Sequence, residues 1–275
     1  MINNICIYTV ITGNYDNLSE IPNELYFPDI YDYIFLTDNS NIKSKNWKVI
    51  KIDLIDNDFQ LTNRFYKIII NKYIKKYKQS IYIDGKVTLK KNIFKELYNL
   101  NNYDMLCFEH YKRKCLYQEG AVLLHPYKQI STKEEIVPLI QYIKKNNFPK
   151  LFGLTDNCCL IRNHSDLVKN TMIQWFDYVK NYCRRDQISF MFCVWKNNLN
   201  LLKLSDKKHK EYLEIKKKHN QSKNKIIKKI TWIEGFDPFE NRRYYFNINN
   251  RLCKWDLKSE YSKEHYKFLE LGYNF

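Results

Sequence analysis

Five short apolar runs in the first 110 residues, each stopped by a polar turn, restrict this chain more than any other feature. Residues 4–11 (NICIYTVI) run into Thr12-Gly13-Asn14-Tyr15-Asp16. Residues 33–37 (YIFLT) run into Asp38-Asn39-Ser40, and residues 80–83 (SIYI) into Asp84-Gly85-Lys86. Residues 47–52 and 105–108 complete the set, the last followed by Glu109 and His110. Their β-branched and aromatic content reads as buried strand. Between them, residues 63–77 carry Phe65, Ile68, Ile69, Tyr73 and Tyr77 at helical spacing, and residues 93–100 also read as helix. Short strands alternating with helices predict an α/β fold with a mostly parallel sheet covered on both faces. Ligands in such sheets bind outside the carboxyl ends of the strands. Gly13, Asp38, Asp84 and Glu109 all fall just past a strand, so the pattern places them on one rim.

The second half is more helical. Helices are expected over residues 132–146, 165–183 (capped by Ser165), 185–195, 205–229 and 262–271, with one strand at 158–162. Residues 232–239 read as a turn-rich segment. The expected organisation is a main domain over residues 1–200 and a basic helical extension over 201–275 packed on it.

Glycine supply decides what kind of anion site is open to the chain. There are only 6 Gly among 275 residues, with no P-loop, no G-x-G-x-x-G and no G-x-S-x-G. A glycine cradle for phosphate is therefore implausible, and Lys, Arg or a metal would have to do that work. Lys is abundant, whereas only 8 Arg occur, as expected of an A/T-rich coding bias. In that background each Gly and Arg has somewhat more meaning where it stands. The net charge is +16, and half of it lies between residues 203 and 229, where eleven Lys face three acids. Such a stretch suits an anionic membrane surface, and a solvated helix face accounts for it equally well. The 8 Cys form no C-x-x-C pair and read as buried thiols. No run of eighteen apolar residues predicts a membrane span, and the N-terminus reads as a strand, not a signal. The expected location is the cytoplasm, with peripheral membrane contact.

Several residues carry candidate chemistry. Asp84, at the end of a buried strand, is placed to hold a divalent metal or a ribose hydroxyl; Gly85 permits close approach, and Lys86 can neutralise phosphate. The same tripeptide is more often simply a turn. Arg64 and Lys67 stand one helical turn apart and together suit a diphosphate. His110, Arg113 and Glu119 follow a strand, and His110 or Glu119 can serve as a base. Arg162 and His164 follow the later strand. Asp186 and Gln187 open a helix, where Asp186 is as readily a cap as a base.

The ordered motifs resemble a glycosyltransferase-like domain family, formerly a domain of unknown function, that includes plant mucilage-related proteins and bacterial proteins of surface-polysaccharide loci. They run from Thr12-Gly13-Asn14-Tyr15-Asp16 through Asp32 to Asp38, Trp47, Arg64, Lys67, Tyr82 to Lys86, His110 to Glu119, Gly153, Arg162, His164 and Trp175 to Arg185-Asp186-Gln187, roughly residues 5–195. The resemblance implies a GT-A-like fold, with a nucleotide-binding half and an acceptor-binding half. It also implies transfer from a nucleotide-sugar donor to a glycan or lipid-linked acceptor in surface polysaccharide synthesis. By position Thr12, Gly13, Tyr15 and Asp38 would border the nucleotide, Arg64 and Lys67 the donor, and Asp84 and Lys86 the diphosphate or a Mn or Mg ion. Arg113, Arg162, His164 and Gln187 would line the sugar, with Asp186, Glu119 or His110 catalytic. Asp-Gly-Lys stands where other sugar-nucleotide transferases often have Asp-x-Asp, which leaves metal dependence open. Two alternatives remain at this point. One is a hydrolase of a lipid amide, with a metal on Asp84, His110 and Glu119. The other is a basic nucleic-acid binder, disfavoured because the charge concentrates away from the motifs.

Overall fold

The β-branched runs do form strands, and the polar turns end them where the sequence pattern says. The computed structural model describes residues 4–39, 41–124, 133–215, 232–237, 242–247 and 253–254. In chain order come β1 (Ile5–Ile11), β2 (Tyr31–Thr37), β3 (Lys48–Lys51), α1 (Phe59–Ile68), β4 (Gln79–Ile83), β5 (Val87–Leu89) and β6 (Met105–Glu109). Then follow α2 (Leu116–Leu124), α3 (Lys133–Lys145), β7 (Thr155–Asn163), α4 (Asp166–Asn181) and α5 (Asp186–Lys196). The last are β8 (Leu201–Leu204), α6 (Asp206–Tyr212), β9 (Leu213–Ile215), β10 (Trp232–Asp237), β11 (Arg242–Asn247) and β12 (Cys253–Lys254). These divide into two units, Met1–Lys112 with Leu154–Ser222, and Arg113–Gly153 with Lys223–Phe275.

The first unit is built on a seven-stranded sheet of order β3-β2-β1-β4-β7-β6-β8. β1, β2, β3 and β4 are parallel, as are β6 and β8; β7 alone runs against its neighbours. The mostly parallel sheet is thus as expected. The chain leaves β1 for β2 on one side and β4 on the other, which makes the ends of β1 and β4 the switch point where α/β sheets bind ligands.

Alternation along each strand gives the sheet two covered faces. On one face Ile7, Ile11, Phe35, Ile81, Ile83 and Phe108 pack with Ile93 and Leu97, from a 3₁₀ segment at Ile93–Asn101, and with Leu204 and Tyr212. On the other face Tyr8 and Arg162 meet the end of α1. Asp58 caps α1 by accepting from Leu61 N at 2.8 Å, and Ser165 caps α4 by accepting from Val168 N at 3.3 Å.

Three expectations change. The helix predicted over 63–77 ends at Ile68, because Asn71 turns its side chain onto the backbone: its Oδ1 accepts from Tyr73 N at 3.0 Å and its Nδ2 donates to Ile69 O at 3.2 Å. The basic helix predicted over 205–229 stops at Tyr212. There Leu213 swings in opposite Leu89 and the chain becomes β9, paired antiparallel with β5; residues 216–229 lie outside the described residues. The segment read as turns at 232–239 is strand over Trp232–Asp237, within a three-stranded antiparallel sheet β10-β11-β12 of the second unit. The helix expected at 262–271 lies outside the described residues.

The second unit also holds α2 and α3. Gly120 lets these helices meet: a Cβ there would lie 2.0 Å from Ile140 Cδ1.

Candidate active site

The site is built from the loop after β1, the C-terminal half of α1, the turn after β4 and the start of α5. Its centre is Lys67. The Lys67 ammonium lies 2.8 Å from Asp186 Oδ2 and 3.4 Å from Asp84 Oδ1. Tyr82 donates its hydroxyl to the same Asp84 oxygen at 2.7 Å, and the Lys67 Nζ stands 5.1 Å from the Tyr82 ring centre. Lys67 is 3% exposed, so this is an ion pair in the protein interior and not a surface contact.

A buried lysine needs more than a counter-ion; its backbone must be fixed. The last carbonyls of a helix have no partner within the helix. Here Tyr8 donates to Lys67 O at 2.7 Å and Arg162 donates to Ile68 O at 2.7 Å, while Arg162 also donates to the Tyr8 hydroxyl. A cation at the negative end of α1 is favourable in itself. Arg162, completely buried, is therefore a strut that sets Lys67 in place. Its position opposite Ser80 lies inside the sheet and not at the rim.

Asp186 is the first residue of α5, yet no side chain caps that helix. Its carboxylate turns to Lys67 instead, and its own carbonyl accepts from the Trp175 indole at 2.9 Å. Burial would raise the Asp186 carboxyl, but Arg64, Lys67 and Arg185 hold it well below the usual carboxylate range. In this arrangement Asp186 holds the Lys67 ammonium. Burial works against the Arg64 charge, and Asp186 and Asp84 outweigh it. Arg64 is anchored by donating its Nε–H to Arg184 O at 3.2 Å and its Nη1 to Asn63 Oδ1 at 3.1 Å. Asn63 in turn donates to Val10 O at 3.0 Å, tying α1 to β1.

The loop after β1 lies beside this cluster. Gly13 has φ of +61°, which favours glycine, and a Cβ there would sit 2.8 Å from Phe59 Cγ. Gly13 donates its N–H to Asp38 Oδ1 at 2.9 Å, and Thr12 donates its hydroxyl to Phe59 O at 2.7 Å. The rim predicted from strand ends therefore joins Gly13 directly to Asp38. Burial and Asp16 raise the Tyr15 phenol while Arg64 and Arg185 oppose them, which puts Tyr15 within electrostatic reach of the cluster. Lys86 stands in the turn after Asp84, closed by Val87 N donating to Asp84 O at 2.8 Å. Gly85 is packed closely there: a Cβ would fall 2.4 Å from Ile11 Cδ1. Gln187, next to Asp186, donates to Thr155 O at 3.4 Å.

Other expected residues are elsewhere. His164 lies past the amino end of β4, the opposite end from Asp84: its N–H donates to Lys78 O at 2.8 Å and its Nε2 is 2.9 Å from Ser80 Oγ. Burial, then Arg162, push its imidazole down to about 3, so it is a neutral core residue and not a phosphate contact. His110 is buried and accepts at Nδ1 from Lys112 N at 3.1 Å. Arg113 and Glu119 belong to the second unit, where Arg113 Nε donates to the fully buried Glu119 carboxylate.

The donor set around Asp84 does not fit the Mn or Mg ion that a GT-A-like fold implies. Hard divalent cations take several oxygen ligands. Here Asp84 offers one carboxylate already bound by an ammonium and a phenol, and Asp186 is bound to that same ammonium. Lys67 thus stands between the two carboxylates and occupies both. Sequence reasoning gave Tyr8 and Tyr82 no role in the site; tyrosines on buried strands look like core, and only the partners of their hydroxyls show otherwise.

Comparison with known proteins gives distant structural likenesses. The apo structure of WbbM, a bifunctional glycosyltransferase, matches with a TM-score of 0.46 at 15% identity, over 74% of this chain and 39% of that one. This chain therefore spans about two fifths of that protein's length. The apo form of mouse xyloside xylosyltransferase 1 matches with a TM-score of 0.37 at 13% identity, over 72% of this chain and 84% of that one. No curated protein sequence matches. The family model for the TOD1/MUCI70 glycosyltransferase-like domain matches residues 33–229, beginning later than the motifs suggested and reaching past residue 200, so the chain belongs to that family.

Proposed function

We propose that the protein transfers a glycosyl group from a nucleoside-diphosphate sugar to a hydroxyl of a glycan or lipid-linked acceptor in surface polysaccharide synthesis. One observation carries this reading: in a chain of a glycosyltransferase-like family, Arg64, Lys67 and Arg185 gather with Asp84 and Asp186 at the switch point of the sheet. By formal charge these three cations outweigh the two carboxylates, and Lys86 in the adjoining turn would add a fourth, which suits a diphosphate. Thr12, Gly13, Tyr15 and Asp38 would border the base and ribose. Asp84, 23% exposed, is the more accessible of the two carboxylates and would meet a ribose or sugar hydroxyl. Fixed cations aimed at the leaving diphosphate stabilise the charge that develops there without reorganisation during reaction. Arg64, Lys67 and Lys86 would supply that stabilisation, with no step carried by a divalent ion. His110 would line the acceptor side. No described helix is long and apolar enough to cross a membrane. Peripheral contact through the Lys-rich stretch is part of the proposal.

The test is calorimetric titration of the purified protein with UDP, GDP and their sugars, in manganese and in EDTA, alongside donor hydrolysis. Saturable binding of one nucleotide class, retained in EDTA, is expected. Absence of binding and hydrolysis across the panel would refute transfer, whereas binding that needs manganese would refute the role given to Lys67.

A further inference from the structure

The structure assigns a second site, separate from the Asp84 cluster, to Asp156, Cys158 and His209: we propose that these three residues bind a zinc-class divalent ion.

The geometry points to it first. Asp156 and Cys158 lie two residues apart on β7, and His209 comes from α6. Their ligand atoms all lie within 4.8 Å of one another. Zinc bonds of about 2.3 Å to sulfur and about 2.0–2.1 Å to nitrogen, at the tetrahedral angle, set the two ligands roughly 3.5 Å apart. Cys158 Sγ and His209 Nε2 are 3.4 Å apart. The imidazole is set for this by its edge-to-face packing on Phe108, at 5.0 Å between ring centres. Cys158 N donates to Asp156 Oδ1 at 3.2 Å, which fixes the carboxylate beside the thiol.

The chemistry narrows the ion. A thiolate, an imidazole and a carboxylate form a borderline-soft set that selects zinc and its neighbours over magnesium, calcium or manganese. Cys158 is buried, while Asp156 and His209 are partly exposed, so three ligands come from the protein and a fourth position faces water. Binding displaces the Cys158 thiol proton to solvent, and no oxidant or reductant is needed.

The location gives such an ion a task. Cys158 O accepts from Asp84 N at 2.8 Å, so the ligand-bearing strand lies directly beside the donor carboxylate. α6 leads straight into β9, which pairs with β5 just after Lys86. An ion on Asp156, Cys158 and His209 would pin α6 to the sheet at this point and brace the Asp84-Gly85-Lys86 turn, without touching the donor.

The experiment uses the full chain. After loading with zinc and exhaustive dialysis, elemental analysis should give one zinc per chain. Cobalt loading should give the visible bands of tetrahedral cobalt together with a thiolate-to-cobalt charge-transfer band. Cys158→Ser should abolish the charge-transfer band, while Cys159→Ser, at the neighbouring cysteine, should keep it. His209→Gln, on a partly exposed helix position, tests the site without opening the core. It should weaken zinc at least about 10–100-fold, the range lost even when an outer-shell partner is removed. Failure to retain stoichiometric metal would overturn the proposal and leave the contact as a thiol–imidazole hydrogen bond. A charge-transfer band that survives Cys158→Ser, or zinc affinity unchanged in His209→Gln, would overturn it too.

Discussion

Lys67→Met is the substitution that tests the centre of the site most directly. Methionine is close in length to the lysine stem, so packing against Tyr82 is largely kept and the ammonium alone is lost. In the wild type that ammonium is 2.8 Å from Asp186 and 3.4 Å from Asp84, on side chains 4% and 23% exposed. Removing one partner of a buried ion pair leaves an uncompensated charge, at a cost of about 3–5 kcal/mol. Arg64 still faces Asp186, so the lower end of that range, about 3 kcal/mol, is expected. Urea unfolding followed by tryptophan fluorescence is a suitable measure, because buried Trp175 donates its indole N–H to Asp186 O.

Asp186→Asn completes a double-mutant cycle. If the pair interacts as the distances say, the double variant should recover at least about 1 kcal/mol relative to the sum of the singles. The pH dependence fixes the sign. Asp186 has its folded carboxyl lowered, chiefly through Arg64 and Lys67 acting against burial. Its contribution is therefore fully present above the unfolded value near 3.9 and is lost as pH falls toward the depressed folded value. Lys67→Met should shrink that acid-side loss, since one of the lowering charges is gone. A Lys67→Met protein within about 1 kcal/mol of wild type, or a strictly additive cycle, would refute the account of Lys67 as a buried bridge.

Two further outcomes are expected. His164, held neutral in the core with its imidazole down at about 3, contributes stability that is complete above about pH 6.5; this should fall by about 1.4 kcal/mol for each unit below that as the unfolded chain takes up the proton. Glutamine at this position should remove about one proton from the acid limb of the stability curve while leaving nucleotide binding unchanged. Gly85→Ala should destabilise by about 1–3 kcal/mol, since its Cβ would fall 2.4 Å from Ile11 Cδ1 and Cγ1. Ile11→Ala, which removes both Cδ1 and Cγ1, should make the Gly85 substitution cheaper than in the wild type, and equal cost in both backgrounds would show that the turn and not the packing requires glycine.

The parts of the fold that periodicity controls were legible in the sequence. β1, β2, β4 and β6 stop at the turns that Gly13, Asp38, Asp84 and Glu109 announce, and Ser165 caps the helix it precedes. The parts that partners control were not. Nothing in residues 63–77 says that Asn71 will bond to backbone and end α1 early. Nothing in the Lys-rich stretch says that Leu213 will leave the helix to pair with β5. Charge pattern marked Arg64, Lys67, Asp84 and Asp186 as candidates, yet only the fold brings Lys67 between the two carboxylates. For Arg162 and His164 the position after a strand misled, because β7 runs antiparallel to β4 and carries them away from the rim.

The same partners bear on how a chain with so few glycines could hold the diphosphate proposed above. A glycine cradle binds phosphate with backbone N–H groups and needs no side chain to be ordered. A lysine site must order a long side chain, which carries about 2 kcal/mol of rotamer entropy. Here that ordering is completed on folding. Tyr8 and Arg162 capture the carbonyls that end α1, Asp186 and Asp84 fix the ammonium, and Tyr82 and Trp175 fix those acids in turn. A ligand meeting a preset cation has less entropy to lose on binding. On that proposal the buried charges of Arg162 and Asp186, which weaken the core when viewed as packing, would be the means by which lysine does the work that glycine does elsewhere.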